Sequence, residues 1–406
     1  MKLSKKSLIY LFMLIPFLEP AFISTTELDT IFSLLRRILF LFSVFLVLLC
    51  WNKSQNKKRY RILWCVYLYF LVLLLCTALS PSGNFLQWSY LALLDMSICN
   101  IVFLWIREDR DRCISYLLFY VEVLLAINLF TLICYPDGLF TTGVYPQYFL
   151  GYDNTHIRWI MPALTLSLLW SYTQEKKGLW KKNLGGIHPR TFILYCICLV
   201  QVVISKSATS IVGFSVFTIL IVLLSKNNSD FFNRRRRLYS IKVAYLVAIV
   251  GTVMVSLIAF SYFGELLNKI ETFFGKNLQI NRIIVWRRVL ESIMENLFTG
   301  VGVELATTTS MKLFNSLLQG VSAHNYLLNV LYQGGLIGFI AFINIYRTIG
   351  KKISYCSGSL PSAYFSIYYL AIAVMGLAEP QHSAVLLYAI WCLSYFVDEY
   401  VLDEYD

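Results

Sequence analysis

The chain has 406 residues, 58% of them apolar and only 14% charged, with a mean hydropathy of +0.64. Water-soluble domains are near a quarter charged, so a string of such domains is excluded, and long uncharged stretches make this an integral membrane protein. The formal charge of 35 − 23 = +12 must first be tested against membrane orientation, because cytoplasmic loops are enriched in Lys and Arg.

A bilayer crossing needs roughly 20 mostly apolar residues. About twelve such stretches occur, at 8–23, 38–51, 62–80, 86–106, 114–135, 158–174, 191–205, 208–225, 243–263, 326–346, 359–378 and 384–401. Lys2, Lys5 and Lys6 before an apolar run resemble a signal peptide, but no small-x-small cleavage site follows, so the run is read as span one. The expected fold is all-α: one polytopic membrane domain over 1–406. A single long, partly helical extracytoplasmic loop, 264–325, lies between spans nine and ten.

With the N-terminus inside, the cytoplasmic segments collect 25 of the 35 Lys and Arg residues. That asymmetry predicts both termini on the cytoplasmic side. Most of the +12 is then topology, and a nucleic-acid partner is not expected. The run Arg234–Arg237 belongs to the same signal. Of the ten cysteines none falls in 264–325, and Cys196 and Cys198 do not share a helix face, so disulfides and cysteine metal sites are not expected. Asp109-Arg-Asp111 matches a metal–nucleotide motif but sits in a six-residue loop with balanced charge.

The ten remaining cations go against the orientation rule: Arg36, Arg37, Arg158, Lys206, Lys269, Lys276, Arg282, Arg287, Arg288 and Lys312. His156, His324 and His382 join them on the outer side. Such a face suits a phosphate-bearing substrate, since Arg binds phosphate oxygens through two parallel hydrogen bonds. Alternatively, six cations among five glutamates in a long loop are ordinary surface.

Taken in chain order, Gly151-Tyr-Asp-Asn154-Thr-His156-Ile-Arg158 places a polar cluster before span six, as a sugar or phosphate contact or as a plain anchor. Lys206 stands between two spans, positioned to reach a lipid phosphate or to snorkel. Residues 281–298 put Trp286, Leu290, Ile293 and Leu297 on one helical stripe, with Arg287, Arg288, Glu291 and Glu295 opposite and able to pair among themselves. Arg282, one turn before Trp286, points inward, where an unpaired charge is costly and usually functional. Gly300 and Gly302 form a turn that either approaches a ligand or simply stops the helix. His324-Asn325 then stands at the membrane junction, where a histidine suits general-base work on a hydroxyl or serves as a structural hydrogen-bonding group. Gly334, Gly335 and Gly338 read as close helix packing.

The order Arg282…Trp286, Gly300…Gly302, His324-Asn325 and Gln333-Gly-Gly-Leu-Ile-Gly338 resembles the O-antigen ligase/polymerase superfamily, most closely a Wzy-type polysaccharide polymerase. Asn154-Thr-His156 is similar to the family's Asn-rich segment, and Ser205-Lys206-Ser207 to its Ser-Arg motif at a helix break. Lysine here keeps the charge but loses the two-pronged guanidinium. The resemblance implies a metal-independent, cofactor-free, inverting glycosyltransferase on the outer face of the bacterial plasma membrane. Its substrates would be undecaprenyl-pyrophosphate-linked glycans, polymerised into capsule, exopolysaccharide or O-antigen. Membrane lipid surrounds such an enzyme, and a chain-length regulator and a flippase accompany it. On that resemblance His324 and Arg282 are the catalytic pair. Arg282, Lys206, Arg158, Arg287 and Arg288 bind the diphosphate, with Asn154, His156, Asn325, Gly300 and Gly302 as secondary candidates. A ligase of the same superfamily is one alternative. A polysaccharide flippase, which would show repeat symmetry and broken midplane segments, is another, and a phosphate-binding sensor a third.

Overall fold

A computed structural model of the chain describes residues 4–142, 145–179, 188–225, 239–260, 279–315, 322–380 and 384–402. Among them are fourteen α-helices and one small antiparallel ribbon pairing Phe140–Thr142 with Tyr145–Gln147. The helices are α1 (Lys5–Leu14), α2 (Leu28–Lys53), α3 (Arg61–Leu79), α4 (Phe85–Cys134), α5 (Ile157–Lys176), α6 (Pro189–Ser205) and α7 (Ala208–Ser225). There follow α8 (Ile241–Phe260), α9 (Gln279–Glu295), α10 (Ala306–Phe314), α11 (Tyr326–Tyr355), α12 (Leu360–Gly376), α13 (Val385–Tyr395) and α14 (Val397–Leu402). The all-α polytopic reading holds. Long apolar helices are what a bilayer demands, because they satisfy every backbone polar group internally. Five helices (α2, α3, α4, α8 and α11) are long and apolar enough to cross one. On α2, Leu34, Ile38, Leu41 and Phe45 stand more than half exposed at offsets of 0, 4, 7 and 11, a stripe that lipid rather than water satisfies.

Two expected spans take a different form, and spans four and five turn back inside the expected loop, 107–112. Only Lys5–Leu14 of the first is α-helical, because Pro16 opens a tighter turn that ends it. Spans four and five are continuous in α4 but fold back at Asp109, whose backbone is extended (φ −163°, ψ 94°). Trp105 and Tyr116 consequently meet at 6.2 Å, where a straight helix would hold them roughly 16 Å apart. Asp109 then bonds the Arg112 backbone N–H at 3.0 Å, and Asp111 pairs with Lys177 at 2.6 Å, so the two acids of the Asp-x-Asp stretch stabilise this turn.

The second departure is in α11. Gly335 has φ +56° and ψ −158°, and the Tyr326 ring packs on Phe342 at 5.3 Å, sixteen positions later. A straight helix would separate those residues by roughly 24 Å. The expectation that Gly335 serves close packing within a straight span is therefore corrected: it is a break. Residues 297–302 dock into it. Val301 and Gly302 donate to the carbonyls of Tyr332 and Gln333 at 2.8 and 2.9 Å. Leu336 and Ile337 donate to Leu297 and Phe298 at 2.9 and 3.2 Å. Backbone groups freed by the break are thus satisfied within the protein, the condition for irregular backbone in a membrane domain. Space is minimal: a Cβ on Gly335 would lie 2.4 Å from the Phe298 carbonyl carbon, and one on Gly302 2.7 Å from the Thr77 Cα.

Charged residues gather at two ends of the bundle. At one end Lys6 meets Glu108 at 2.5 Å, Arg59 meets Glu399, Lys352 meets Asp398, and Arg110 lies over the Tyr400 ring at 4.2 Å. These ties join segments expected on one side, those around residues 6, 59, 108, 177, 352 and 399. All ten cysteines are free, with Cys196 exposed and Cys198 buried on opposite faces of α6.

Candidate active site

Asn154, Arg158, Arg282 and His324 converge from three stretches of chain on one carboxylate, Glu379, three positions beyond α12, and on its neighbour Pro380. Its side chain is 10% exposed. Arg282 Nη2 donates to Oε1 at 3.0 Å, and Asn154 Nδ2 donates to the same oxygen at 3.4 Å. His324 Nδ1 lies 3.5 Å from Oε2, an electrostatic distance rather than a close hydrogen bond. Arg158 Nη2 donates to the neighbouring carbonyl of Pro380 at 3.3 Å. Burial alone would push the Glu379 carboxyl up. His324, Arg282 and Arg158 outweigh it and hold the group below the usual carboxylate range. The centre is therefore an ionised carboxylate that positions two cations and an imidazole.

Local backbone presents each member. Asn325 caps α11: its Oδ1 accepts from Leu328 N–H at 3.0 Å and from Thr252 Oγ1 at 3.4 Å. Its Nδ2 donates to the Leu377 carbonyl at 3.3 Å, tying the start of α11 to the chain leading into Glu379. His324, immediately before, has φ +47°, a strained conformation for a non-glycine residue that turns its ring against Phe314 at 5.6 Å. Lys206 also occupies the left-handed region (φ +50°) and ends α6. Its side chain is exposed, while Ser207 hydrogen-bonds Asn154 and so links this helix break to the Glu379 centre.

The buried stripe of α9 is Val285, Val289 and Ile293, at 1%, 0% and 6% exposure, while Leu297 is 36% exposed. Of the expected stripe Trp286, Leu290, Ile293 and Leu297, Ile293 is buried and Trp286 and Leu290 pack against the same cluster, but its centre lies about one residue away, at Val285 and Val289, which share that cluster with Leu328 and Tyr332. That shift leaves Arg282 on the packed side. Arg287 and Arg288 lie elsewhere: Arg287 Nε bonds the Ala259 carbonyl at 3.2 Å and Arg288 Nη1 the Leu313 carbonyl at 3.1 Å. His156 is buried, with Nε2 3.1 Å from the Gly151 carbonyl and its ring edge-on to Tyr148. Burial pushes its imidazole down to about 4, partly resisted by that carbonyl, so it is neutral near pH 7. Gly300 and Gly302, with φ +62° and +72°, pack against α11 and α3.

Two further cations expected on the outer side serve the scaffold. Arg36 is buried with Glu19 and Asp29, and Lys312 pairs with the buried Glu304, which also accepts from Tyr332 Oη at 2.9 Å. Lys269, Lys276, His382 and Arg234–Arg237 lie outside the described residues. Glu379 was missed from sequence because it falls one residue beyond an apolar span. The available signal was Ala378-Glu-Pro-Gln-His382, an acid and a proline entering the side that holds the candidate cations.

No curated protein matches the chain. Residues 193–343 match a family model described as O-Antigen ligase, a stretch that contains Lys206, Arg282, Gly300, Gly302 and His324-Asn325. Arg158, Asn154 and Glu379 lie outside the match but are drawn to it in space. Over residues 193–343 this membrane protein is therefore similar to the O-antigen ligases, which supports its place in the O-antigen ligase/polymerase superfamily and glycan ligation or polymerisation as its class of activity.

Proposed function

We propose that the protein joins oligosaccharide repeat units carried on undecaprenyl diphosphate into a cell-surface polysaccharide. The reaction would occur at the outer face of the bacterial plasma membrane, with both termini cytoplasmic. The observation that carries this reading is the bridge made by Glu379 between Arg282 and His324. With Nδ1 turned to the carboxylate, His324 keeps Nε2 for the acceptor hydroxyl, the same division of labour as in a carboxylate-oriented histidine base. His324 removes the hydroxyl proton as that oxygen attacks the anomeric carbon from the face opposite the leaving group. The anomeric carbon–phosphate oxygen bond breaks with both electrons leaving on the diphosphate, and the configuration inverts. Arg282 and Arg158, with Lys206 at the adjoining helix break, neutralise the charge that grows on that diphosphate.

The test is elongation of a purified lipid-linked repeat unit in proteoliposomes. His324→Ala and Arg282→Ala are expected to abolish it while membrane insertion persists, and near-normal polymer length in either variant overturns that residue's role. In a deletion strain, accumulation of single-repeat lipid-linked units supports polymerisation. Full-length unattached polymer indicates a ligase instead, and repeats stranded on the cytoplasmic leaflet indicate a flippase.

A further inference from the structure

A groove of about 550 Å³ runs between α8, α11 and α12. Its walls are apolar, built from Ala244, Ala248, Ile343 and Ala373 among others. Along α8 it extends from Lys242 to Thr252, roughly 15 Å of helix. Its two mouths differ in chemistry. One is lined by Thr252 and Leu377, both hydrogen-bonded to Asn325. At the other stand Lys242, Arg347 and Lys351, all exposed and with no ion-pair partner among the described residues. That mouth shares its end of the bundle with the Lys352–Asp398 and Arg59–Glu399 pairs.

We propose that this groove is a binding site for a phospholipid with an anionic headgroup. The phosphate rests on Lys242, Arg347 and Lys351, and one acyl chain lies along the apolar channel towards Asn325. Three exposed cations at the rim of an apolar slot are complementary to such a lipid and to its headgroup end alone. Each cation strengthens attraction to an anionic headgroup, while the tail needs only apolar wall. A donor lipid entering with its diphosphate at Arg282 would present its tail to the opposite end of the groove, which carries no such cations. The proposal rests on the chain lying in a membrane and is independent of the reaction proposed above.

The experiment is native mass spectrometry and thermal unfolding of the detergent-purified full chain. It is titrated separately with phosphatidylglycerol, phosphatidylcholine and undecaprenyl diphosphate. Phosphatidylglycerol is expected to form a one-to-one adduct and raise the unfolding temperature, and phosphatidylcholine is not. The triple variant Lys242→Gln/Arg347→Gln/Lys351→Gln should lose about a hundredfold in phosphatidylglycerol affinity, the worth of three interfacial cations. Ala373→Trp, which fills the channel, should lose the adduct with the cations intact. Equal binding of the two phospholipids, or unchanged phosphatidylglycerol affinity in the triple variant, overturns the proposal. So does displacement of phosphatidylglycerol by undecaprenyl diphosphate that persists in the triple variant, which would assign the groove to the donor's tail.

Discussion

Glu379→Gln isolates the orienting role of the carboxylate with almost no change in shape. In the native centre Oε1 accepts from Arg282 at 3.0 Å and Oε2 faces His324 Nδ1 at 3.5 Å. A glutamine keeps an acceptor for Arg282 but turns an NH₂ group towards His324. The imidazole then favours the tautomer with its proton on Nε2, the atom that must be free to take the acceptor proton. Forcing the wrong tautomer in a carboxylate-oriented histidine base costs about 10⁴ in turnover. The longer, looser contact here sets the expectation nearer 10³. Removing a negative charge beside Arg282 and Arg158 does not weaken diphosphate binding, so kcat should fall while KM holds or drops. Initial rates of repeat-unit elongation across donor concentrations provide the measurement, with size-exclusion behaviour and helicity as folding controls. Glu379→Asp, which keeps the charge, should recover part of the rate. A well-folded Glu379→Gln protein within tenfold of wild-type kcat would refute the argument, as would a loss confined to KM.

Three other outcomes follow from burial and backbone. Gly335→Ala combines a positive φ with a Cβ placed 2.4 Å from Phe298, and should lower stability by at least about 2 kcal/mol, read as a depressed unfolding temperature in detergent. Arg36→Met strands Glu19 in a buried position, with an expected loss of about 3–5 kcal/mol. The double variant Arg36→Met/Glu19→Met should recover most of it, and additivity of the two single changes would contradict a coupled pair. His156 has its folded-state pKa depressed to about 4 from an ordinary 6.5. The unfolded chain therefore binds the proton first as pH falls, and stability present above pH 6.5 is lost between there and pH 4. That loss is up to about 3 kcal/mol. His156→Gln should flatten this part of the stability–pH profile, and an unaltered profile would show that another group carries it.

The membrane architecture was legible because it depends on composition over long windows, and one solvent enforces it everywhere. Span-length apolar stretches became helices, and the short charged loops expected together were found tied by Lys6–Glu108, Arg59–Glu399 and Lys352–Asp398. What escaped were features set by single residues. Nothing in the apolar pattern of 326–346 marks Gly335 as a break, because the same glycine fits a straight packed helix, and the deciding partner, residues 297–302, is more than thirty positions away. The α9 stripe read from sequence includes the buried Ile293 and the packed Trp286 and Leu290, but its centre lies one residue away for a related reason. Large side chains such as Trp286 and Leu297 dominate a hydrophobic stripe read from sequence, whereas burial followed the smaller Val285 and Val289 that let α9 approach Leu328 and Tyr332. The inward aim of Arg282 was legible from its spacing. Its partner was not, since ion pairs across ninety-seven positions leave no local trace.

At the heart of the proposed diphosphate site a carboxylate looks self-defeating, since it would cancel part of the charge that draws the substrate. The charges resolve the difficulty. Before reaction, Arg282 and Arg158 contribute +2 and Glu379 −1, leaving the centre at +1 with a histidine that must be neutral to act as a base. In the proposed reaction, when His324 takes the acceptor proton the centre would rise to +2, in the same step that transfers an electron pair to the departing diphosphate. Attraction thus increases most where the leaving group's charge increases, and only interactions stronger in the transition state than in the bound substrate accelerate the step. Without Glu379 the starting centre would be +2, holding substrate more tightly in the ground state. The carboxylate therefore shifts binding from the ground state towards the transition state, and this is why its removal should leave KM low while the rate collapses.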